Sequence, residues 1–149
     1  MTELTQGLYP AAIKESFADE RTKPFWEAAV EGRLTTSRCD SCGTCILPPK
    51  PYCFECRGQD FTWIDLPGTG VVYSFTVVRH PLHPGLADVV PYVSGIIDLD
   101  GTQGAGARLM GNIFECPVDE VRIGDKVEAA FEPLSETYAM MRFRWIGHA

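Results

Sequence analysis

The chain has 149 residues, 45% hydrophobic and 22% charged, an ordinary balance for one globular domain with at most a small appendage. Its 20 acidic side chains outnumber 13 basic ones for a formal charge of −7, which disfavours a polyphosphate partner held by bulk electrostatics. No apolar run approaches the roughly 18 residues of a membrane span, and no basic segment followed by an apolar core opens the chain, so a cytoplasmic protein without a membrane partner is expected.

The first 21 residues carry a weak pattern. Ile13 and Phe17 lie four apart, enough for one face of a short helix. Either a mobile arm or one that orders against another protein fits this stretch. From Thr22 to Gly32 the signals are clearer: Thr22 or Lys23 at the cap, Pro24 in the first turn and Gly32 as the stop predict a helix. Phe25, Trp26, Ala29 and Val30 give it a wide apolar face on two turns. So short a helix must pack on something, either the chain's own body or another subunit. Arg33 to Arg38 then reads as a strand.

Cys39-x-x-Cys42-Gly43 and Cys53-x-x-Cys56 follow, and they are the strongest chemical signal in the chain. Two such knuckles turn four thiolates towards one point, which satisfies tetrahedral zinc with no position left open. A closed site of this kind folds a small ribbon and does no chemistry at the ion. Gly43 suits the tight knuckle because glycine takes positive φ at little cost. Buried or disulfide-bonded cysteines are the plainer alternative, and iron fits the same cage. Close pairs in a chain without a secretion signal favour zinc and a reducing compartment. Cys42-Gly43-Thr44-Cys45 is also a C-x-x-C, but pairing Cys42 with Cys45 would orphan Cys39, so Cys45 is placed on the outgoing strand as a free thiol. Ile46 to Tyr52, with Pro48, Pro49 and Pro51, is a stiff extended crossover.

Beyond the second knuckle the periodicity is that of strands. Phe61–Ile64 exits at Pro67-Gly68, and Val71–Val78, Tyr92–Leu99, Arg108–Phe114, Lys126–Phe131 and Tyr138–Trp145 follow. The last alternates cleanly, and its Ala139, Met141, Phe143 and Trp145 side should be buried. A short helical turn is expected at Val118–Arg122. Gly95 and Gly111 inside strands would serve as the bends of a small closed barrel of the OB type. The fold class is therefore mostly β: an N-terminal arm and short helix over 1–33, a four-cysteine zinc ribbon over 34–66, and a five-stranded OB-type barrel over 67–149.

Other motifs carry less. Gly101-Thr102-Gln103-Gly104-Ala105-Gly106 resembles a phosphate loop, but a strand follows where such a loop needs a helix, so it reads as a hairpin turn. His80-Pro81-Leu82-His83-Pro84 cannot form a helical metal pair across two prolines, and it begins a long loop that either is solvated or meets a ligand or partner. Cys116 reads as a small buried side chain and His148 as part of a disordered tail. Zinc ribbons and OB barrels both bind nucleic acid in other settings, and a four-thiolate iron site would make an electron carrier; the acidic charge argues against the first.

The order Phe25-Trp26-Glu27-Ala28, Gly32-Arg33-Leu34, Cys39-x-x-Cys42-Gly43, Leu47-Pro48-Pro49 and Cys53-x-x-Cys56, followed by the barrel, resembles a family. It is that of the acyl-CoA-associated OB-fold proteins with a rubredoxin-like zinc ribbon, long catalogued as a domain of unknown function. The resemblance runs from about residue 10 to the end. It implies a non-catalytic subunit that shapes the CoA-thioester site of a thiolase-fold partner: an acyltransferase, or an aldolase cutting lipid or steroid side chains. An enoyl-CoA hydratase is a further partner, and a hetero-oligomer is implied. The zinc ligands carry over to Cys39, Cys42, Cys53 and Cys56, and no catalytic residue carries over. Rigid apolar surface suits an interface, with Phe25, Trp26 and Tyr52 as the expected anchors. A CoA thioester bound jointly with the partner would use isolated cations near the knuckles, for which Arg38, Lys50 and Arg57 are candidates.

Overall fold

The computed structural model describes residues 19–149, so the Ile13 and Phe17 pattern lies outside the described residues. The expected helix is α1, Lys23–Val30, with Pro24 in its first turn. Thr22 does not cap it through its side chain. Instead the Thr22 amide and hydroxyl both donate to the Asp19 carboxylate, at 2.8 and 2.9 Å, which makes a tight lead-in turn. Gly32 at φ 75° ends the helix, its amide reaching the Ala29 carbonyl at 3.0 Å. That conformation is cheap only for glycine.

The ribbon is a three-stranded sheet in the order β2-β1-β3, built from β1 (Thr35–Cys39), β2 (Cys45–Ile46) and β3 (Phe61–Asp65). Its strands are antiparallel, with Ser37 opposite both Ile46 and Trp63. The central strand buries Thr35, Thr36 and Ser37. The Ser37 and Thr36 hydroxyls both turn to the Ile46 carbonyl, which repays part of the cost of burying them.

Five further strands close into a barrel: β4 (Thr69–Val78), β5 (Tyr92–Leu99), β6 (Arg108–Phe114), β7 (Lys126–Pro133) and β8 (Ala139–Gly147). The order is β4-β5-β6-β8-β7, with β7 returning to β4. Only β6 and β8 run parallel, through Ile113–Phe143 and Phe114–Arg144. A five-stranded barrel of this order is the expected OB topology. β7 and β8 run further than the alternation suggested. Their pairing persists to Pro133 opposite Ala139, where the Leu134 amide reaches the Tyr138 carbonyl across the turn.

Val72, Val93, Ile97, Val127 and Phe143 fill the barrel. Gly95 and Gly111 sit directly opposite each other on β5 and β6. A Cβ on Gly111 would stand 2.9 Å from the Phe143 ring, and one on Gly95 2.7 Å from Ile113 Cδ1. The two glycines thus leave room for a ring and a branched side chain. On β8, Ala139, Met141 and Phe143 are buried as expected, while Trp145 is half-buried. Arg142, on the side expected to face water, is also buried, 3.7 Å from Glu132 and over the Phe114 ring at 4.7 Å. Burial pushes the Glu132 carboxyl up, and the Arg142 guanidinium pulls it back.

Two further expectations are corrected. The helical turn at 118–122 is only a hydrogen-bonded turn, Glu120 amide to Pro117 carbonyl at 2.9 Å. The Arg122 amide, which a helix would spend on the Val118 carbonyl, donates to the Asp125 carboxylate instead. His148 is not in a loose tail: its Nδ1 lies 2.8 Å from Asp125 Oδ1. Trp145 Nε1 and the Arg122 amide donate to the other oxygen, at 2.9 and 2.8 Å. Burial pushes the Asp125 carboxyl up, but these three partners outweigh it and hold the group below the usual carboxylate value. In the long loop, His83 accepts from the Gly85 amide at 3.0 Å and caps a single 3-10 turn, Pro84–Leu86, so its Nδ1 is spent locally.

Ribbon and barrel meet at the β5–β6 hairpin. The Cys45 amide donates to the Gln103 carbonyl at 3.1 Å. Gly104, at φ 73°, lies so close that a Cβ there would be 2.5 Å from Thr44 Oγ1. The glycine-rich turn is a hairpin, as its sequence implied, and also the joint between the two sheets. Phe25, Leu34 and Cys45 pack in the same apolar cluster as Val72 and Phe143.

Candidate metal centre

Each knuckle is one turn closed by the same backbone bond. The Gly43 amide donates to the Cys39 carbonyl, and the Arg57 amide to the Cys53 carbonyl, both at 2.8 Å. Gly43 (φ 80°) and Arg57 (φ 63°) both take left-handed conformations. Arginine does so at a cost of about 1–2 kcal/mol, which the packed knuckle must offset. Ten residues of proline-rich crossover return the chain so that the second knuckle faces the first.

The four sulfurs of Cys39, Cys42, Cys53 and Cys56 all lie within 4.8 Å of one another. Cys39 and Cys56 Sγ are 3.5 Å apart, and Cys42 and Cys53 Sγ 3.6 Å. Zinc–sulfur bonds of about 2.3 Å in a tetrahedron require sulfur separations of about 3.8 Å. The donor set therefore fits zinc in chemistry and in spacing. No disulfide is formed among them. Cys39 and Cys53 are buried, while Cys42 and Cys56 lie at the surface. Gly58 completes the cradle: a Cβ there would press on the Cys39 and Cys56 sulfurs at 3.2 and 3.3 Å, and its amide points at Cys56 Sγ at 3.4 Å.

The thiols polarise one another. Thr44, through its hydroxyl and its amide, lowers Cys42 to about 6. The Gly58 amide pulls Cys56 down, but the Cys42 and Cys39 sulfurs outweigh it and push Cys56 up to about 12. Four crowded sulfurs cannot all lose protons unaided, and a bound dication removes that conflict. Its role when bound is to fix the two knuckles. Cys45 is excluded from the set: it lies on β2, fully buried against the barrel side.

Among the described residues, this is the one group of three or more ligating side chains that converge. The family models agree on both parts of the chain. Residues 26–62 match the rubredoxin-like zinc ribbon domain of ChsH2, and residues 63–132 match the C-terminal OB-fold domain of ChsH2. A DUF35 domain-containing scaffold protein of Methanocaldococcus jannaschii is 39% identical over 126 residues, which is 83% of this chain and 86% of that one. The chain belongs to the DUF35 scaffold family.

A protein of Thermomonospora curvata named as an enoyl-CoA hydratase alpha subunit is 37% identical over 116 residues, 77% of this chain. The DUF35 chain spans only 34% of that relative's length. Among solved structures, a chain of the Ltp2-ChsH2(DUF35) aldolase superposes with a TM-score of 0.73 at 31% identity, covering 86% of this chain and 96% of that one.

The expected contact residues separate. Phe25 is only 7% exposed and packs inward against the shared core, so it is no surface anchor. A two-turn helix with an apolar arc this wide must turn some of that arc inward, and Phe25 is the part that turns. Trp26 is half-buried, its ring edge-on to Phe25 at 5.2 Å and to Tyr138 at 5.9 Å. Tyr52 stands out at 58% exposure, and Phe54, which sequence reasoning passed over, at 54%. Both flank Cys53, one of the four converging cysteines. Arg38 is on the central ribbon strand, Lys50 in the crossover and Arg57 in the second knuckle, the last two exposed.

A second surface was missed altogether. Tyr73, Ile96 and Met110 form an exposed apolar row across β4, β5 and β6, Ile96 standing opposite Met110 and Tyr73 at the β4 bulge. The Arg108 guanidinium lies 3.7 Å over the Tyr73 ring and pairs with Asp98. The strict alternation of β5 and β6 was the signal: Ile96 and Met110 fall on the faces opposite Ile97 and Gly111.

Proposed function

We propose that this chain is a non-catalytic accessory subunit of a thiolase-fold acyl-CoA enzyme, an aldolase or an acyltransferase acting on lipid or steroid side-chain thioesters. It stabilises that partner in a hetero-oligomer and helps to shape the CoA-thioester site. The likeness to a chain of the Ltp2-ChsH2(DUF35) aldolase, over nearly its whole length, carries the reading. The surface supports it. Exposed aromatics beside a pinned metal site, and an apolar row across a rigid barrel, are what association buries at low entropic cost. The convergent reactive groups are four thiolates that a tetrahedral ion fills, which leaves them a structural role.

In this reading the ribbon end, with Tyr52 and Phe54, meets the partner, and Arg38, Lys50 and Arg57 are the cations available to CoA phosphates. An enoyl-CoA hydratase subunit is a further partner, in line with the hydratase-named relative. Co-expression with any thiolase-fold enzyme whose gene flanks this one tests the proposal. One complex on size exclusion is expected, with no thioester turnover by the isolated chain. Separate elution from every such neighbour, or turnover by the homogeneous chain alone, overturns it.

A further inference from the structure

Helix α1 and the β7–β8 turn enclose an open groove of about 680 Å³. Trp26, Val30 and Tyr138 supply its apolar lining. Asp19, Glu20, Glu27, Glu31 and Glu136 surround these with carboxylates, and Lys23 is the one cation among the described lining residues. All five carboxylate residues are exposed. Lys23 is 3.9 Å from Glu27, and Arg33 reaches Glu31 at 2.6 Å from outside the groove, which leaves Glu20 and Glu136 without a cation among the described residues. The groove runs the whole length of α1, from Asp19 and Lys23 to Val30 and Glu31, and the last turn of the helix, where the partial charge is negative, has no basic residue. Trp26 Nε1 has no hydrogen-bond partner and no contact with solvent.

We propose that this groove receives a short basic segment of the partner enzyme. Lys or Arg side chains of that segment face the carboxylates, and an apolar side chain packs on Trp26 and Tyr138. The inference rests on the accessory-subunit reading and names the chemistry of one contact in it. Charge decides the occupant. A second copy of a chain with net charge −7 would set acid against acid, and a CoA phosphate or nucleic acid would meet the same repulsion. A basic segment gains on both counts: burial of apolar area and complementary charge.

The test uses the complex of the full chain with its thiolase-fold partner. One variant carries Glu20→Gln, Glu27→Gln and Glu136→Gln, which removes three groove charges while leaving the Arg33 pair intact. The control carries Asp60→Asn, Asp88→Asn and Glu120→Gln, three exposed acids outside the groove. Calorimetric titration at low and at high salt reads Kd. The groove variant is expected to bind about tenfold more weakly at low salt, with a flatter salt dependence, and the control to stay within about twofold of the parent. A complex in which groove and control variants bind alike overturns the inference and leaves the accessory-subunit reading standing. Failure of the parent chain to form any complex removes both.

Discussion

The barrel buries Val72, Val93, Ile97, Val127 and Phe143 almost completely, whereas the ribbon's own apolar cluster is Cys39, Ile46 and Cys53 with Phe61 against it. Two of those three buried ribbon residues are candidate metal ligands. The barrel is therefore held by area removed from water, whereas the knuckle end of the ribbon has little apolar area of its own and would depend on a metal joining its four thiolates. A two-residue β2 and a five-residue β3 around β1 could not make a stable sheet alone. What the contrast teaches is that one chain can carry two cooperative units with different chemical dependences. They are joined where the Gln103–Gly104 hairpin meets Thr44 and Cys45, and through the apolar cluster that Leu34, Cys45 and Trp63 share with Val72 and Phe143.

The sharpest way to break that contrast is Cys53→Ser. Loss of one ligand should forfeit a metal contribution on the order of 10 kcal/mol. Zinc content measured by atomic absorption should fall towards zero while the barrel keeps its far-UV dichroism. Phe143→Ala attacks the other unit, since this ring is fully buried against Gly111. A cost of about 3–5 kcal/mol in urea melts is expected, with zinc stoichiometry unchanged in the folded fraction.

Asp125→Asn should cost about 1.5–3 kcal/mol, because a buried carboxylate with three donors loses its charge. Its pH signature has a definite sign. The folded carboxyl lies below its ordinary value, so its stabilisation is present above that value and is lost as pH falls through the lower, folded one. The wild type should therefore lose stability in acid more steeply than Asp125→Asn, as acid melts would show. Smallest is Gly104→Ala, at the joint: a positive φ and a Cβ against Thr44 predict about 1–2 kcal/mol. The two units should then melt further apart in calorimetry.

Much of this was legible in the sequence, for physical reasons. The ribbon was readable because C-x-x-C spacing fixes both ligand type and local turn, and the helix because Pro24 and Gly32 punctuate it. The barrel strands showed through alternation of β-branched residues, and even the buried side of β8 was right for Ala139, Met141 and Phe143. What escaped was set by distance along the chain. His148 meets Asp125 only after β7 and β8 have paired, and Arg142 is buried because Glu132 and Phe114 come to it from other strands. The inward turn of Phe25 depends on a core assembled from residues far downstream. The acidic groove exists only because α1 and the β7–β8 turn, from opposite ends of the chain, lie side by side.

Hydrogen exchange read by mass spectrometry on the full chain, before and after complete chelation, tests the two-unit account most directly. Loss of amide protection across Thr35–Asp65 with retention in the barrel strands is the predicted result, along with one zinc ion released per chain. Unchanged protection of both knuckles in the chelated chain, or collapse of ribbon and barrel together in one step, would contradict it.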